Sequence, residues 1–185
     1  MADTDTSAVR GLRYISGLAP EEFAKAESAL VHHRDRIRPV PDMYGRVTEG
    51  SRQRLDFGYI YETRGGLIET EPIPSAIRDF ATYLCGVLGV ENDFDVCLVN
   101  LYQKGQGIGP HIDHTDLFGE RIICATFNGK RTMCFSHAGD KVDIITAPCS
   151  VYMMEGDARY VWKHEMPKLK SNEPCFSVTF RKRRV

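Results

Sequence analysis

The sequence has 185 residues, a hydrophobic content of 42% and a formal net charge of −1. This length suits a single domain, and the hydrophobic content supports a packed core and argues against intrinsic disorder. The near-neutral charge gives no overall sign of a polyanionic partner, and no apolar run approaches the ~20 residues that a membrane-spanning helix needs.

The N-terminal residues 1–10 begin with a polar, acidic stretch, and we expect them to form a disordered tail without a signal-peptide pattern. Six cysteines are scattered along the chain without a C-x-x-C pair, mostly among apolar residues. Thiols in such surroundings are typical of reduced core residues. We therefore expect an intracellular protein, cytoplasmic or nuclear, with residues 11–185 forming one domain.

Two amphipathic helices are predicted in the first half of the chain. Pro20 is expected to open the first, since proline is tolerated where the N–H has no intrahelical partner, and Ser75 is expected to cap the second. Apolar residues recur at helical spacing in both: Phe23, Ala26, Leu30 and Ile37, then Ile77, Phe80, Leu84 and Leu88. We expect both helices to buttress the outside of a sheet.

Between the helices, the chain is predicted to form a loop over residues 39–54 and an aromatic-rich strand over residues 55–61. A loop of that length is uncommon unless it is functional or disordered. A short strand is also predicted before the first helix, at residues 12–15.

After Gly89 the hydrophobic pattern changes to a period of two. Leu98, Asn100 and Tyr102 fall on one face of a strand, and Cys97 and Val99 fall on the other. Further short strands, separated by turn signals, are predicted at 122–127, 132–136, 142–145, 151–155, 159–162 and 176–181. Many short strands with regular turns favour a mainly β sandwich or jelly roll over a parallel α/β sheet.

A candidate metal site begins at His111-Ile-Asp113, which follows a glycine-rich turn. In an extended strand alternate side chains point the same way, so His111 and Asp113 project to one face. A predicted strand over residues 158–164 ends at His164. Two imidazoles and one carboxylate suit non-haem Fe(II) with open coordination positions. The alternative is a chance H-x-D pair and an ordinary surface or core histidine.

Several segments together make the chain resemble the AlkB family of Fe(II)- and 2-oxoglutarate-dependent dioxygenases. Those segments, in the family's order, are Asn100-Leu-Tyr102, the glycine-rich turn at 104–110, His111-Ile-Asp113, residues 158–164, and residues 176–181. An upstream stretch, 57–61, is similar to the family's substrate-lid strand. The likeness covers roughly the last two thirds of the chain and is nearest to the oxygenase module of an AlkB homologue that modifies wobble uridine in tRNA.

The resemblance implies a double-stranded β-helix, or jelly roll, with two buttressing N-terminal helices. Residues 11–90 would supply the helices and the substrate lid, and residues 91–185 the jelly-roll core. It also implies that Fe(II) is held by His111, Asp113 and His164 and that dioxygen is a reactant. By resemblance, 2-oxoglutarate would be bound by Asn100, Tyr102, Ser177 and Arg181.

The last strand departs from the family pattern at one position. The family carries two arginines six residues apart there; Arg181 matches the second, but the first falls on Cys175. That first arginine is the family's usual anchor for the far carboxylate of 2-oxoglutarate. Arg181 or Arg183 could hold the carboxylate differently, or Arg131 or Lys130 could reach in from another strand. Alternatively, the pocket is impaired and the protein is a catalytically silent binding module.

For the substrate, the resemblance implies nucleic acid, with single-stranded nucleic acid or RNA favoured over duplex DNA. The contacts it suggests are Tyr59, Tyr61, Arg54, Thr115 and Arg159, with Arg52 beside Arg54 for phosphates. Each could instead be ordinary strand composition or a surface charge. Thr115 stands where members that repair cationic bases carry a carboxylate, which favours a neutral base. A protein or small-molecule substrate stays open, and we expect a monomer without membrane association.

Overall fold

The computed structural model describes residues 6–41, 44–62 and 66–184. Helix α1 spans Pro20–Val31, helix α2 Ser75–Leu88 and helix α3 Gly156–Tyr160, and a 3-10 turn spans Arg34–Arg36. The strands are β1 Leu12–Ile15, β2 Arg38–Pro39, β3 Gln53–Phe57, β4 Tyr59–Glu62, β5 Gly66–Glu69, β6 Val96–Tyr102, β7 Ile108–His111, β8 Phe118–Asn128, β9 Arg131–His137, β10 Asp140–Thr146, β11 Ser150–Met154, β12 Lys163–Met166 and β13 Cys175–Arg183. Within the described ranges, no helix is both long and apolar enough to cross a bilayer.

The strands form a large sheet, a small sheet and a hairpin. The large sheet has the order β1-β11-β8-β13-β6-β3-β2, the small sheet has the order β10-β9-β12-β7, and β4 pairs with β5. Every pairing of these strands is antiparallel. The crossovers between sequence-distant strands, together with the mainly β content, confirm the predicted jelly roll.

Helices α1 and α2 pack on the outer face of the large sheet, as predicted. Phe23 of α1 lies edge-on to Phe80 of α2, with ring centroids 4.9 Å apart, and to Phe127 of β8 at 5.1 Å. Val99 and Val178 of the sheet belong to the same buried cluster. The period-two face of β6 that carries Cys97 and Val99 therefore meets the helices. The other face points between the sheets.

Three boundaries differ from the sequence predictions. Helix α1 ends at Val31, and Ile37 reaches the same core only after the 3-10 turn. Ser75 is the first residue of α2, and the cap is Pro74 without a side-chain hydrogen bond. The predicted strand at 159–162 is wrong: its first half belongs to α3, which follows a turn at Gly156 with a φ of 52°, and its second half lies in neither a helix nor a strand.

Only the second half of the predicted N-terminal tail, residues 6–10, lies within the described residues. Residues 1–5 lie outside the described ranges. Val9, by contrast, is buried in the inner core, and Arg10 forms a 2.8 Å ion pair with Asp157. Ordered packing therefore starts before residue 11, because an apolar side chain at position 9 finds a site between the sheets.

Gly58 fixes the base of the β4–β5 hairpin, which is the region predicted as a lid. Its N–H donates to the Glu71 carbonyl at 2.7 Å, and its carbonyl accepts from the Thr70 N–H at 2.9 Å. Its φ is 79°, and a Cβ there would overlap the carbonyl oxygen of Asp95. Only glycine fits both the left-handed backbone and this close approach.

We expect Gly58→Ala to lower the free energy of unfolding by about 3 kcal/mol or more, from backbone strain and steric overlap together. Gly89→Ala is the matched control, since its φ is 65° but no atom lies within 4 Å of an added Cβ. The control should cost only about 1 kcal/mol. Urea denaturation of both variants checks this, and equal losses would contradict the role of the Asp95 contact.

Candidate metal centre

His111, Asp113 and His164 are brought together by the pairing of β7 with β12. His111 and His164 are direct partners in that register, and their ring centroids lie 4.4 Å apart. Asp113 follows β7 by two residues; its carboxylate oxygens lie 3.6 Å from His111 Nε2 and 4.0 Å from His164 Nε2. One ligand atom from each lies within 4.8 Å of the others, so the three could hold a single metal ion.

The protonation states of the three side chains suit a divalent cation. His111 Nδ1 lies 2.8 Å from the Gly109 carbonyl. A carbonyl can only accept, so Nδ1 donates to it, and Nε2 is the ring nitrogen that faces Asp113. Burial, opposed in part by Asp113, lowers the pKa of His164 to about 4. His164 is therefore neutral at pH 7, as a metal ligand must be.

Asp113 is held as a buried anion. Burial by itself would raise the pKa of Asp113, but Arg181 and the two histidines outweigh it and hold the pKa well below its ordinary value. Arg181 Nη2 donates to both carboxylate oxygens, at 2.9 and 3.0 Å. A carboxylate with an orienting guanidinium beside two imidazoles is a donor set for Fe(II), and it fits the 2-His-1-carboxylate pattern.

Arg159 lies behind this set and does not reach the cavity. It is 1% exposed. Its guanidinium donates to the backbone carbonyls of Asp113, His114, Phe118 and Gly119 at 2.8 to 3.2 Å. The expected substrate contact at Arg159 is therefore wrong. All three of its guanidinium nitrogens donate to the loop and strand start that follow Asp113 or to Asp113 itself, which no local sequence pattern indicates.

A cavity of about 270 Å³ opens between the two sheets beside the three candidate ligands. Predicted cosubstrate residues that line it are Asn100 and Tyr102 from β6 and Ser177 and Arg181 from β13. Apolar walls come from Leu98, Ile108, Ile122, Met133, Met154 and Met166. The alternation in β6 and β13 predicted from the sequence thus delivers polar side chains to one chamber. Arg131 does not line this cavity but stacks on the ring of Tyr102, with its Cζ 4.6 Å from the centroid.

Some of the residues predicted to contact substrate line the cavity, and others lie outside it. Tyr61 and Arg54 line the cavity, and Tyr61 lies 5.7 Å from the ring of His114. Tyr59 instead packs under the Arg183 guanidinium, whose Cζ lies 4.2 Å from the centroid of the Tyr59 ring. Tyr59 does not line the cavity. Thr115 is half-buried in the loop after Asp113 and is also absent from the lining. Tyr59 and Thr115, which were expected to contact substrate, are therefore not among the residues that line this cavity.

Arg52 is a cavity residue for which only a phosphate contact is expected from the sequence. It lines the chamber together with Asp113 and Tyr102. Its Nε is buried without a hydrogen-bond partner, and burial lowers its pKa. Among described residues, no carboxylate forms an ion pair with it. Arg54, by contrast, is neutralised by Asp56 at 2.8 Å. The sequence signal for this placement is that positions 52 and 54 are two residues apart, so both side chains point to the same face where the chain is extended.

Comparisons with known proteins agree with this geometry. The model of the 2OG-Fe(II) oxygenase superfamily matches residues 19–185. The chain is 30% identical over 119 residues to tRNA (carboxymethyluridine(34)-5-O)-methyltransferase alkbh8 of Xenopus tropicalis, covering 61% of this chain and 19% of that protein. It is 31% identical over 132 residues to uncharacterized protein L905 of Acanthamoeba polyphaga mimivirus, covering 66% and 61%.

The fold also matches a solved structure. The structure of OsALKBH1 aligns with a TM-score of 0.62 at 13% sequence identity, over 93% of this chain and 98% of that chain. The chain spans less than two thirds of the length of the curated relatives above. The match over nearly the whole chain identifies it as a member of the 2OG-Fe(II) oxygenase superfamily, which implies Fe(II) and 2-oxoglutarate as cofactor and cosubstrate, and the chain is similar to AlkB-type proteins in sequence and fold.

Proposed function

We propose that this protein hydroxylates or oxidatively demethylates a nucleobase in nucleic acid, with RNA, such as tRNA, favoured over duplex DNA. The observation that carries the proposal is the adjacency of the three candidate ligands to a cavity rimmed by Tyr61, His114, Arg52 and Arg54. The name of the Xenopus relative, a tRNA methyltransferase acting at a uridine, supports the RNA preference.

In this proposal His111, Asp113 and His164 hold Fe(II). Bound Fe(II), with 2-oxoglutarate and dioxygen, supplies the oxidising power for hydroxylating a C–H bond. Arg181 keeps the Asp113 carboxylate oriented through its two hydrogen bonds. The candidate cosubstrate site consists of neutral hydrogen-bonding groups that line the same cavity, from Asn100, Tyr102 and Ser177.

The rim of the cavity suits a single nucleotide turned out of its stack. Tyr61 and His114 present rings beside the metal position, and aromatic faces bind bases by stacking. The Arg52 guanidinium, whose Nε has no hydrogen-bond partner, can bind an anionic group of the substrate. Because the rim presents stacking surfaces and cations suited to one turned-out nucleotide, a single-stranded substrate is favoured.

The protein is further proposed to act as an intracellular monomer, in the cytoplasm or nucleus. All groups named above come from one chain, so no second copy is needed to complete the site. All six cysteines are unpaired thiols, four of them buried, which suits a reducing compartment.

The test is oxidation of methylated or otherwise modified single-stranded RNA oligonucleotides, followed by mass spectrometry of the base and by succinate release. We expect Tyr61→Ala to lower substrate-dependent turnover by about 10-fold or more, because stacking on an aromatic ring contributes about 1–3 kcal/mol per base. Succinate release without RNA should be retained, because Tyr61 lies outside the proposed ligand set.

Tyr59→Ala is the matched control, because Tyr59 lies on the same strand but packs under Arg183 outside the cavity. Equal effects of the two substitutions would argue against stacking at Tyr61. RNA binding should also weaken with salt, with a slope of about −0.7 in log K against log salt for each phosphate contacted. Salt-independent binding, with no product from any RNA, would favour the alternative of a protein or small-molecule substrate, which the net charge of −1 allows.

A further inference from the structure

Arg131 is a buried cation whose hydrogen-bonding capacity is only partly used. The residue is 3% exposed. Its Nη2 donates to the Pro167 carbonyl at 2.8 Å, whereas its Nη1 is buried without a hydrogen-bond partner. Within the described part of the chain, no carboxylate forms an ion pair with Arg131. Burying a guanidinium without an anion is costly, so an anion supplied at this place would be strongly bound.

Arg131 does not itself line the cavity, but it packs against Tyr102, which does. Its Cζ lies 4.6 Å from the ring centroid of Tyr102, which lines the chamber. Met133, two residues further along β9 and on the same face, lines the chamber as well. The Arg131 side chain therefore leaves β9 on the inward side, next to the part of the cavity formed by Tyr102.

The same place is next to Cys175. Cys175 is the direct partner of Tyr102 in the β6–β13 register. The turn that precedes Arg131 packs closely against Cys175. A Cβ added to Gly129 in that turn would lie 2.8 Å from the Pro174 carbonyl oxygen and 3.3 Å from Cys175 Cβ. A cysteine at position 175 is short, so a guanidinium can approach this corner from β9 where a longer residue at 175 would fill it.

We propose that Arg131 binds the far carboxylate of 2-oxoglutarate, in place of the arginine that Cys175 replaces. This inference rests on the proposed function, since it assigns a residue to the cosubstrate of that same site. The rival cations of the last strands are engaged elsewhere. Arg181 is bonded to Asp113, and Arg183 lies 3.0 Å from an Asp95 oxygen. Lys130 is exposed.

A charged anchor at this corner gives the site a defined selectivity. 2-Oxopentanoate has the same five-carbon chain and the same 2-oxo acid end as 2-oxoglutarate, but it carries a methyl group where 2-oxoglutarate has its second carboxylate. The two ligands therefore differ only in the group that Arg131 is assigned to bind. Tyr102 offers the same neutral hydroxyl to either ligand, so it does not distinguish the two by charge.

The experiment is anaerobic titration of the Fe(II)-loaded protein with each ligand, followed through the visible metal-to-ligand charge-transfer band. We expect Arg131→Met to raise the Kd for 2-oxoglutarate about 30-fold or more, as loss of a buried charge partner does, and to leave the Kd for 2-oxopentanoate nearly unchanged. Lys130→Met removes the same charge from the adjacent exposed position and should change neither Kd. Adding Cys175→Arg to Arg131→Met should restore part of the affinity for 2-oxoglutarate.

Equal weakening of both ligands by Arg131→Met would mean that the residue acts only on the structure, and would overturn the proposal. Loss of 2-oxoglutarate affinity in Arg52→Met but not in Arg131→Met would overturn it as well, by assigning the carboxylate to Arg52. If Arg131→Met does not fold, Arg131→Lys keeps the charge and should still weaken 2-oxoglutarate selectively. A wild-type protein that binds Fe(II) but gives no band with either ligand would instead contradict the proposed function.

Discussion

His164→Ala is expected to lower the affinity for Fe(II) by about 100-fold or more and to abolish the charge-transfer band with 2-oxoglutarate. Loss of an outer-shell partner alone typically costs 10–100-fold in metal affinity, and His164 is proposed to be one of three direct ligands. It is buried and neutral, with its Nε2 4.0 Å from Asp113 Oδ2. The remaining histidine and carboxylate cannot complete a facial set. Anaerobic Fe(II) titration measures the change.

His32→Ala is the control for this experiment, because His32 is exposed at the end of α1, away from the cavity. It should bind Fe(II) like the wild-type protein. Tight Fe(II) binding by His164→Ala, with an undiminished band, would show that the metal lies elsewhere. Since alanine removes a buried ring, circular dichroism and thermal melting must show that the variant is folded.

Arg159→Met is expected to have the largest effect on stability of any single charged residue near the site. Four backbone carbonyls lose a donor; those of His114 and Phe118 keep another one, and a buried polar group left unsatisfied costs about 1–3 kcal/mol. Because methionine fills part of the space and the loop can relax, we expect a net loss of about 3 kcal/mol or more in the free energy of unfolding. Urea denaturation measures it.

The same substitution should weaken Fe(II) binding in the folded protein. Arg159 Nη1 holds the Asp113 carbonyl at 2.8 Å, so its loss frees the backbone that positions the Asp113 carboxylate. We expect a 10–100-fold loss of affinity, the range typical of residues that orient metal ligands.

Arg184→Met is the matched control, because Arg184 donates to the same Phe118 carbonyl at 3.2 Å but is itself exposed. It should cost less than about 1 kcal/mol and leave Fe(II) binding unchanged. If Arg159→Met behaved like Arg184→Met, the buried guanidinium would not be what holds the loop.

Asp113 is thus constrained at both ends, by Arg159 at its carbonyl and by Arg181 at its carboxylate. The two arginines come from different elements, α3 and β13. A carboxylate fixed in this way binds a metal without having to reorganise. The basic C-terminal run also has a structural role, because Arg183 packs over Tyr59 and pairs with Asp95.

Local periodicity was enough to predict the scaffold. The apolar stripe of α2 and the alternation of β6 follow from the geometry of a helix and a strand, which depends only on neighbouring residues. That is why Leu98, Asn100 and Tyr102 were correctly assigned to one face. His111 and Asp113 were grouped for the same reason, although Asp113 lies just beyond the end of β7.

Local pattern failed where a few residues turn the chain. The segment before His164 contains alternating apolar residues typical of a strand, yet it begins as helix α3 after the positive φ of Gly156. That turn sends Arg159 inward to the Asp113 loop. The same limitation explains Tyr59: its place on a strand was predictable, but its packing under Arg183 depends on a residue more than a hundred positions away.

Short-range spacing in the sequence therefore determined a mainly β class and the two buttressing helices, and the family resemblance of its motifs added the jelly roll and the three candidate ligands. Only the tertiary structure decided which guanidinium serves which partner. Arg181 meets Asp113, Arg159 meets backbone carbonyls, and Arg131 lies beside Tyr102 near Cys175. A long, flexible cationic side chain can reach several anions, and its choice is fixed by which strands pair and how closely their turns pack.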